Sequence, residues 1–201
     1  MNTPLEDVHA SNLLTYAGLA AALTAVAVAL EQQSIAGAGA LLAVAALADT
    51  FDGRFARRFP RTERQRQVGA QLDSLVDAIV FGLAPVVVAS ALPGRSDGMP
   101  EIIWWAAAFC YVLATVTRLS FFNVEQDELT FVGVPMPAIA LIWSTCLLRP
   151  VAWWAAPLVS LACAVVMVAP VMIPRPRRAA LACFAFWAVS LVALHAARLL
   201  R

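Results

Sequence analysis

The sequence predicts an all-α fold: a polytopic membrane helical bundle with six core transmembrane helices and a seventh helix at the C-terminus. Hydrophobic residues make up 62% of the 201-residue chain and charged residues only 13%, whereas soluble domains are about half apolar and about a quarter charged. The apolar residues form runs close to the roughly 20 residues that a bilayer-spanning helix needs. Short segments that contain proline, glycine or arginine separate these runs.

Seven apolar runs are candidate spans. We place them at about 13–31, 35–57, 68–92, 101–122, 131–149, 151–173 and 179–199. Pro135 and Pro137 are expected to break or bend the start of the fifth run, and the seventh could either cross the bilayer or lie at its surface. The polar N-terminal segment 1–12 lacks the positive start of a cleaved signal peptide, so we expect the first run to be retained. We therefore expect residues 1–201 to form one integral membrane domain.

The arginines indicate which loops face the cytoplasm. All fourteen basic residues are arginines, which excludes a P-loop or a Schiff-base lysine. Segments 58–68 and 174–178 contain four and three of them, and short cytoplasmic loops are enriched in basic residues. We therefore expect both segments and the N-terminus on the cytoplasmic side of the cytoplasmic (inner) membrane. The net charge of +1 gives no indication of a nucleic-acid partner.

Four aspartates stand inside the second and third predicted spans. Asp49 and Asp52 lie near the end of one span, and Asp73 and Asp77 near the start of the next. Spacings of three and four place each pair on one helix face. Because a short loop makes the two helices antiparallel neighbours, we expect the pairs to meet at the depth of the lipid headgroups. An acid inside a bilayer costs about 2.5–3.5 kcal/mol, so four of them require a functional explanation.

The chemistry of this cluster predicts a metal site. Four carboxylates in a pocket of low dielectric repel one another unless cations offset their charge. Oxygen ligands without histidine or cysteine suit a hard divalent ion, Mg²⁺ or Mn²⁺. Two such ions about 4 Å apart would bind a phosphate between them. The alternative, a set of hydrogen bonds between helices, explains one buried acid better than four.

Glycines and arginines flank the acids. Gly53 follows Asp52, and Gly69 begins the third predicted span; both could serve close helix packing or the close approach of a nucleotide. Arg57, one turn after Gly53, could reach a diphosphate with its planar guanidinium group or act as a membrane anchor. The remaining arginines of the loop are interpreted as anchors: Arg58, Arg61, Arg64 and Arg66.

The stretch from 49 to 77 also carries a family resemblance. It has the form Asp49-x2-Asp52-Gly53-x2-Ala56-Arg57-x11-Gly69-x3-Asp73-x3-Asp77. This resembles the signature of the CDP-alcohol phosphotransferases, D-x2-D-G-x2-A-R-x8-G-x3-D-x3-D. Four further segments are similar to those of bacterial and archaeal phosphatidylserine synthases in that family: SNLLT (11–15), LDSLVDAIVFGLAP (72–85), TRLSFFNV (117–124) and FVGVPMPAIA (131–140). The chain departs from the pattern in a loop three residues longer before Gly69, in Val80 for serine, and in Ser120-Phe121 for Ala-Arg.

The resemblance implies a function and roles for these residues. The implied reaction transfers the phosphatidyl group of CDP-diacylglycerol to L-serine by metal-assisted in-line displacement, giving phosphatidylserine and CMP. Two divalent cations would be held by Asp49, Asp52, Asp73 and Asp77, and Asp77 would also act as the general base. The implied CDP-binding residues are Gly53, Ala56, Arg57 and Gly69. Ser74 and Arg118 are the expected acceptor-binding residues, although Arg118 stands at a helix end and could instead extend its side chain to the membrane surface. Membrane lipids and a second copy in a homodimer are the implied partners.

Two alternatives stay open. The same chemistry could use another acceptor (glycerol 3-phosphate, an inositol compound or choline), because Phe121 replaces an arginine of the similar segment. A cation or proton transporter also places acids in the membrane, but it needs polar groups at several depths, and spans four to seven offer almost none. His9 and His195 have no partner visible in the sequence, and we assign them no catalytic role.

Overall fold

Seven helical segments run through the computed structural model, which describes residues 8–93, 101–124, 130–149, 152–174 and 178–200. These segments comprise eight α-helices: α1 Leu13–Glu31, α2 Ile35–Ala56, α3 Glu63–Asp77, α4 Ala84–Ser90, α5 Glu101–Val124, α6 Met136–Leu148, α7 Ala156–Val168 and α8 Arg178–Leu199. A π-helical segment, Ala78–Leu83, joins α3 to α4 in one continuous helix. One turn of 3-10 helix precedes α1 at Ala10–Asn12 and α7 at Trp153–Ala155. The predicted all-α bundle is confirmed.

Five of the helical segments are long and apolar enough to cross a bilayer. They are Ala10–Glu31, Ile35–Ala56, Glu63–Ser90, Glu101–Val124 and Ala179–Leu199. The last of them is the seventh predicted span, whose length now suits a crossing. The other two, Met136–Leu148 and Trp153–Val168, are shorter. A helix the length of α6 extends about 20 Å, less than the roughly 30 Å of hydrocarbon, so spans five and six are shorter than predicted.

Two short strands replace the ends of the fifth and sixth predicted spans. Strand β1, Thr130–Val132, pairs antiparallel with strand β2, Met172–Pro174. Gly133 then turns the chain with a φ of +75°, which favours glycine, and its amide donates to the Val171 carbonyl oxygen at 2.9 Å. Pro135 precedes the first residue of α6. The predicted helical starts and ends at these positions were therefore wrong, because the chain there pairs with a distant segment.

Helix α3 begins five residues before the predicted third span. The backbone N–H of Gln65 donates to Thr62 Oγ1 at 3.2 Å, and the backbone N–H of Thr62 donates to Gln65 Oε1 at 3.0 Å. This reciprocal pair is a capping box, which satisfies two backbone donors at the helix start. The polar first turns of α3 thus extend the helix beyond its apolar part, and they shorten the connection from α2.

Replacing Thr62 with alanine is expected to lower the apparent melting temperature of the protein in detergent. The substitution removes the hydroxyl that caps α3, and losing such a cap costs about 1 kcal/mol. For a chain of this size that corresponds to a decrease of about 2–4 °C. Thr62→Ser keeps the hydroxyl and is expected to have the same apparent melting temperature as the unchanged protein. Equal melting of both variants would mean that the capping box does not stabilise α3.

Helix α8 is held to the bundle by a buried polar contact. His195 is fully buried, and its Nε2 lies 3.0 Å from the carbonyl oxygen and 3.3 Å from Oγ of Ser144 in α6. The Ser144 hydroxyl donates in turn to the Gly39 carbonyl oxygen in α2 at 2.8 Å. The histidine ring rests directly against Gly39, where a Cβ atom would overlap it. His195 is therefore a packing residue that joins three helices.

Candidate functional site

The four aspartates of α2 and α3 converge into one cluster, as predicted. Carboxylate oxygens of Asp49, Asp52 and Asp73 lie within 4.8 Å of one another. Asp77 lines two cavities together with these three aspartates. Helix α1 packs against both α2 and α3, and its Thr15 hydroxyl donates to Asp52 Oδ2 at 3.4 Å. The cluster is therefore built by three helices and is partly buried.

This donor set fits a hard divalent cation. Its ligand atoms are carboxylate oxygens close enough to share one ion, and Mg²⁺ and Mn²⁺ prefer such ligands. Among the described residues that line the cavities around the cluster, none is a histidine or a cysteine. The repulsion between neighbouring carboxylates gives a further reason for a bound cation. The residues present thus fit the predicted metal site.

A cavity of about 390 Å³ opens on one side of the cluster, toward α5, α6 and α8. Both predicted acceptor residues, Ser74 and Arg118, line it together with all four aspartates. The Ser74 hydroxyl donates to Asn123 Oδ1 at 2.8 Å, and the Arg118 guanidinium lies 4.7 Å from the centre of the Phe122 ring. Arg118 is only 6% exposed, so its charge is directed into the protein near the acids and not toward solvent.

A second cavity, of about 280 Å³, lies on the α1 side of the cluster. It contains all four residues that were predicted to bind CDP: Gly53, Ala56, Arg57 and Gly69. Its lining also includes residues that were not predicted to bind a substrate: Ser11, Asn12, Thr15, Arg61 and Arg66. Asn12 and Thr15 belong to the SNLLT segment, whose resemblance could have indicated them. The two arginines were interpreted as anchors, and their sequence positions gave no sign of the cavity.

The two cavities share Asp52 and Asp73. A group bound at these acids can therefore be reached from both sides, from the α1 side and from the side of α5, α6 and α8. Two molecules placed in the two cavities would meet at the acid cluster. This arrangement suits a transfer between two substrates.

A π-helical segment directly follows Asp77. Such segments are rare in proteins, and those that occur are often found at functional sites. The Tyr111 hydroxyl of α5 donates to the Phe81 carbonyl oxygen at 2.6 Å, and a Cβ atom at Gly82 would lie 2.9 Å from Thr115 Cγ2. Helix α5 thus packs closely on the segment and binds one of its carbonyl groups. These contacts fix the direction in which α3 presents Asp73 and Asp77.

The fold and the site define a membrane protein of the phosphotransferase type, and the chain belongs to the CDP-alcohol phosphatidyltransferase family, whose match covers residues 8–199. The resemblance seen in the signature is thereby confirmed. Three curated relatives are named CDP-diacylglycerol–serine O-phosphatidyltransferase. The protein of Mycobacterium tuberculosis is 38% identical over 138 residues, which are 64% of this chain and 45% of the relative.

Two further relatives with the same name come from other bacteria. The Helicobacter pylori protein is 33% identical over 111 residues, 54% of this chain and 44% of its own length. The Bacillus subtilis protein is 36% identical over 90 residues, 44% of this chain and 48% of its own length. The aligned part of the chain thus spans less than half the length of the relatives it matches.

Proposed function

We propose that the protein transfers the phosphatidyl group of CDP-diacylglycerol to the hydroxyl of L-serine, giving phosphatidylserine and CMP. The observation that carries this proposal is the junction of two cavities at Asp52 and Asp73, inside a cluster that contains every aspartate of the family signature. The names of the curated relatives support L-serine as the acceptor. An acid cluster of this kind alone would not distinguish L-serine from another small alcohol.

The residues divide into three groups in this proposal. Two divalent cations, Mg²⁺ or Mn²⁺, would be held by Asp49, Asp52, Asp73 and Asp77, and when bound they offset the charge of the diphosphate. The cavity on the α1 side would take the CDP part of the lipid, with Arg57 donating to its phosphates. The cavity of Ser74 and Arg118 would take the acceptor, whose carboxylate Arg118 suits as a planar, charged donor.

The reaction is a single displacement at phosphorus. The acceptor oxygen forms a bond to the phosphatidyl phosphorus while the bond from that phosphorus to the bridging oxygen breaks, and the electron pair leaves with CMP. The proton of the acceptor hydroxyl passes to Asp77, which lines the acceptor cavity. A carboxylate placed within reach of the hydroxyl can act as a general base. The chain offers no paired nucleophile and base among the described cavity residues that would suggest a covalent intermediate.

The site is proposed to face the cytoplasm of the inner membrane. The acid cluster lies at the end of the bundle that carries the arginine-rich connection between α2 and α3, and Arg61 and Arg66 of this region line the cavity beside the acids. Basic residues favour the cytoplasmic side. A single membrane domain acting as a homodimer, implied by the family resemblance, completes the proposal.

The proposal is tested by CMP release from CDP-diacylglycerol in detergent, with Mg²⁺ or Mn²⁺ and with L-serine, glycerol 3-phosphate, inositol or choline in turn. Release that requires L-serine and stops with EDTA would support the full proposal. Release with another alcohol would keep the chemistry and change the acceptor. No release with any acceptor from folded protein would exclude a transferase and favour the transport alternative. The same assay compares Asp77→Asn, which changes an aspartate of the cluster, with Glu63→Gln as its matched control, because Glu63 is an exposed carboxylate on α3 outside the cluster.

Arg118→Gln is expected to raise the KM for L-serine by about 10- to 100-fold, which corresponds to a charged hydrogen bond of about 1.5–3 kcal/mol. The KM for CDP-diacylglycerol is expected to change less than about twofold, because Arg118 lines the acceptor cavity and is not among the residues of the other cavity. Steady-state kinetics in both substrates would measure the two constants. Arg149→Gln, an exposed arginine after α6, serves as the control. Equal increases in both KM values would contradict an acceptor role.

A further inference from the structure

The cavity on the α1 side contains more positive charge than the family signature accounts for. Arg57 belongs to the signature, but Arg61 and Arg66 line the same cavity. Arg61 is half-buried, and its Nη1 lies 3.9 Å from the position that a Cβ atom on Gly69 would occupy. Arg66 is exposed and pairs with Glu63 at 3.2 Å. Of the two additional arginines, Arg61 is therefore the one whose guanidinium group is directed into the cavity.

Arg61 lies in the connection between α2 and α3; from Arg57 to Gly69 the chain is three residues longer than the family signature. Arg61 stands directly before Thr62, whose capping box fixes the start of α3. The arginine is thus attached to an ordered helix end. Across the cavity, Asn12 Oδ1 lies 3.2 Å from the same Cβ position at Gly69, and Asn12 is itself buried. Because Gly69 has no side chain, a gap stays open between Arg61 and Asn12, with Asp52 and Asp73 also on its lining.

We propose that Arg61 binds the phosphate of the leaving nucleotide and stabilises the charge that forms when CMP departs. This inference rests on the proposed function. When the bond to the bridging oxygen breaks, its electron pair stays on the CMP phosphate, which gains one negative charge. A planar guanidinium group can donate two parallel hydrogen bonds to two phosphate oxygens. Arg57 and Arg61 then contact the nucleotide diphosphate from two different elements, the end of α2 and the start of α3.

The experiment measures binding of CMP and of cytidine to the purified protein in detergent with Mn²⁺ by calorimetry. Arg61→Gln is expected to weaken CMP binding about 10- to 100-fold and to leave cytidine binding unchanged, because cytidine has no phosphate. Arg61→Lys keeps the charge without the planar fork, so it is expected to weaken CMP binding less. Arg58→Gln is the matched control, since Arg58 is exposed in the same loop and lies outside the cavity lining; it is expected to bind CMP normally.

The outcomes separate this inference from the proposed function. Normal CMP binding by Arg61→Gln, with CMP bound by the unchanged protein, would overturn the role of Arg61 and leave the proposed function in place. Equal weakening of CMP and cytidine binding would also overturn it, because the contact would then not be to the phosphate. Absence of CMP binding by the unchanged protein would overturn both. Selective loss of CMP binding in Arg61→Gln, with partial recovery in Arg61→Lys, would support the inference.

Discussion

Asp77→Asn protein is expected to release CMP at least about a thousand-fold more slowly than the unchanged protein at saturating substrates. Asp77 lines the cavity of Ser74 and Arg118 together with Asp49. The substitution removes the proposed general base, which is also a proposed metal ligand, and loss of a general base alone costs about 10²- to 10⁴-fold. The asparagine amide has the same shape, but it cannot take up the proton of the acceptor hydroxyl at neutral pH. The measurement is the rate of CMP release with L-serine and Mn²⁺.

The same variant is expected to be at least as stable as the unchanged protein in the absence of metal. Asp77 adds a carboxylate to a cluster in which like charges already repel, so its neutralisation should not lower the apparent melting temperature. The increase in melting temperature on addition of Mn²⁺ should, in contrast, be smaller in Asp77→Asn, because the substitution removes a proposed ligand. Glu63→Gln should change neither quantity. An inactive variant that melts several degrees lower without metal would instead indicate a structural role for Asp77.

Gly39→Ala is expected to cause the largest loss of stability among single glycine substitutions in the membrane core. A Cβ atom at this position would overlap the ring of His195, which is fully buried between α2, α6 and α8. The ring cannot move easily, because Nε2 contacts Ser144. Overpacking of this kind costs about 1–3 kcal/mol or more, so we expect the apparent melting temperature in detergent to fall by roughly 5 °C or more.

Gly18→Ala is the matched control for this substitution. Gly18 is also buried within a membrane helix, but its Cβ would lie 3.6 Å from Ala48 Cβ, an ordinary contact. It is expected to melt within about 2 °C of the unchanged protein, since alanine also favours the helix. The double variant Gly39→Ala/His195→Ala lacks the imidazole ring. The double variant should therefore lose less stability than the sum of the losses in the two single variants. Additive losses would show that Gly39 and His195 do not act through their contact.

The acid cluster could be predicted from the sequence because its aspartates lie at helical spacings within one short stretch of the chain. The spacings within Asp49–Asp52 and Asp73–Asp77 place each pair on one helix face, and a short connection brings the two helices together. The signature glycines and Arg57 follow the same local logic, and the structure brings them into one cavity. The T-x-x-Q pattern at 62–65 is typical of a capping box and would also have predicted the start of α3.

Other features depend on contacts between distant segments. The apolar residues of β1 and β2 resemble helix ends in sequence, and only their mutual pairing makes them strands. Arginine counts indicate the side of the membrane, but they do not distinguish Arg61, which turns toward the cavity, from Arg58, which is exposed. The role of His195 was equally hidden, since its partners Ser144 and Gly39 stand on two other helices.

The two cavities that share Asp52 and Asp73 have a stereochemical consequence. In the proposed reaction, a nucleophile that enters from the side of α5, α6 and α8 and a nucleotide that leaves toward α1 would occupy opposite faces of the phosphorus atom between them. A single transfer in this geometry would invert the configuration at phosphorus, whereas two successive transfers through an enzyme-bound intermediate would retain it. Neither substrate would need to pass through the binding place of the other. Both would be bound at once, and double-reciprocal plots for the two substrates would intersect instead of running parallel.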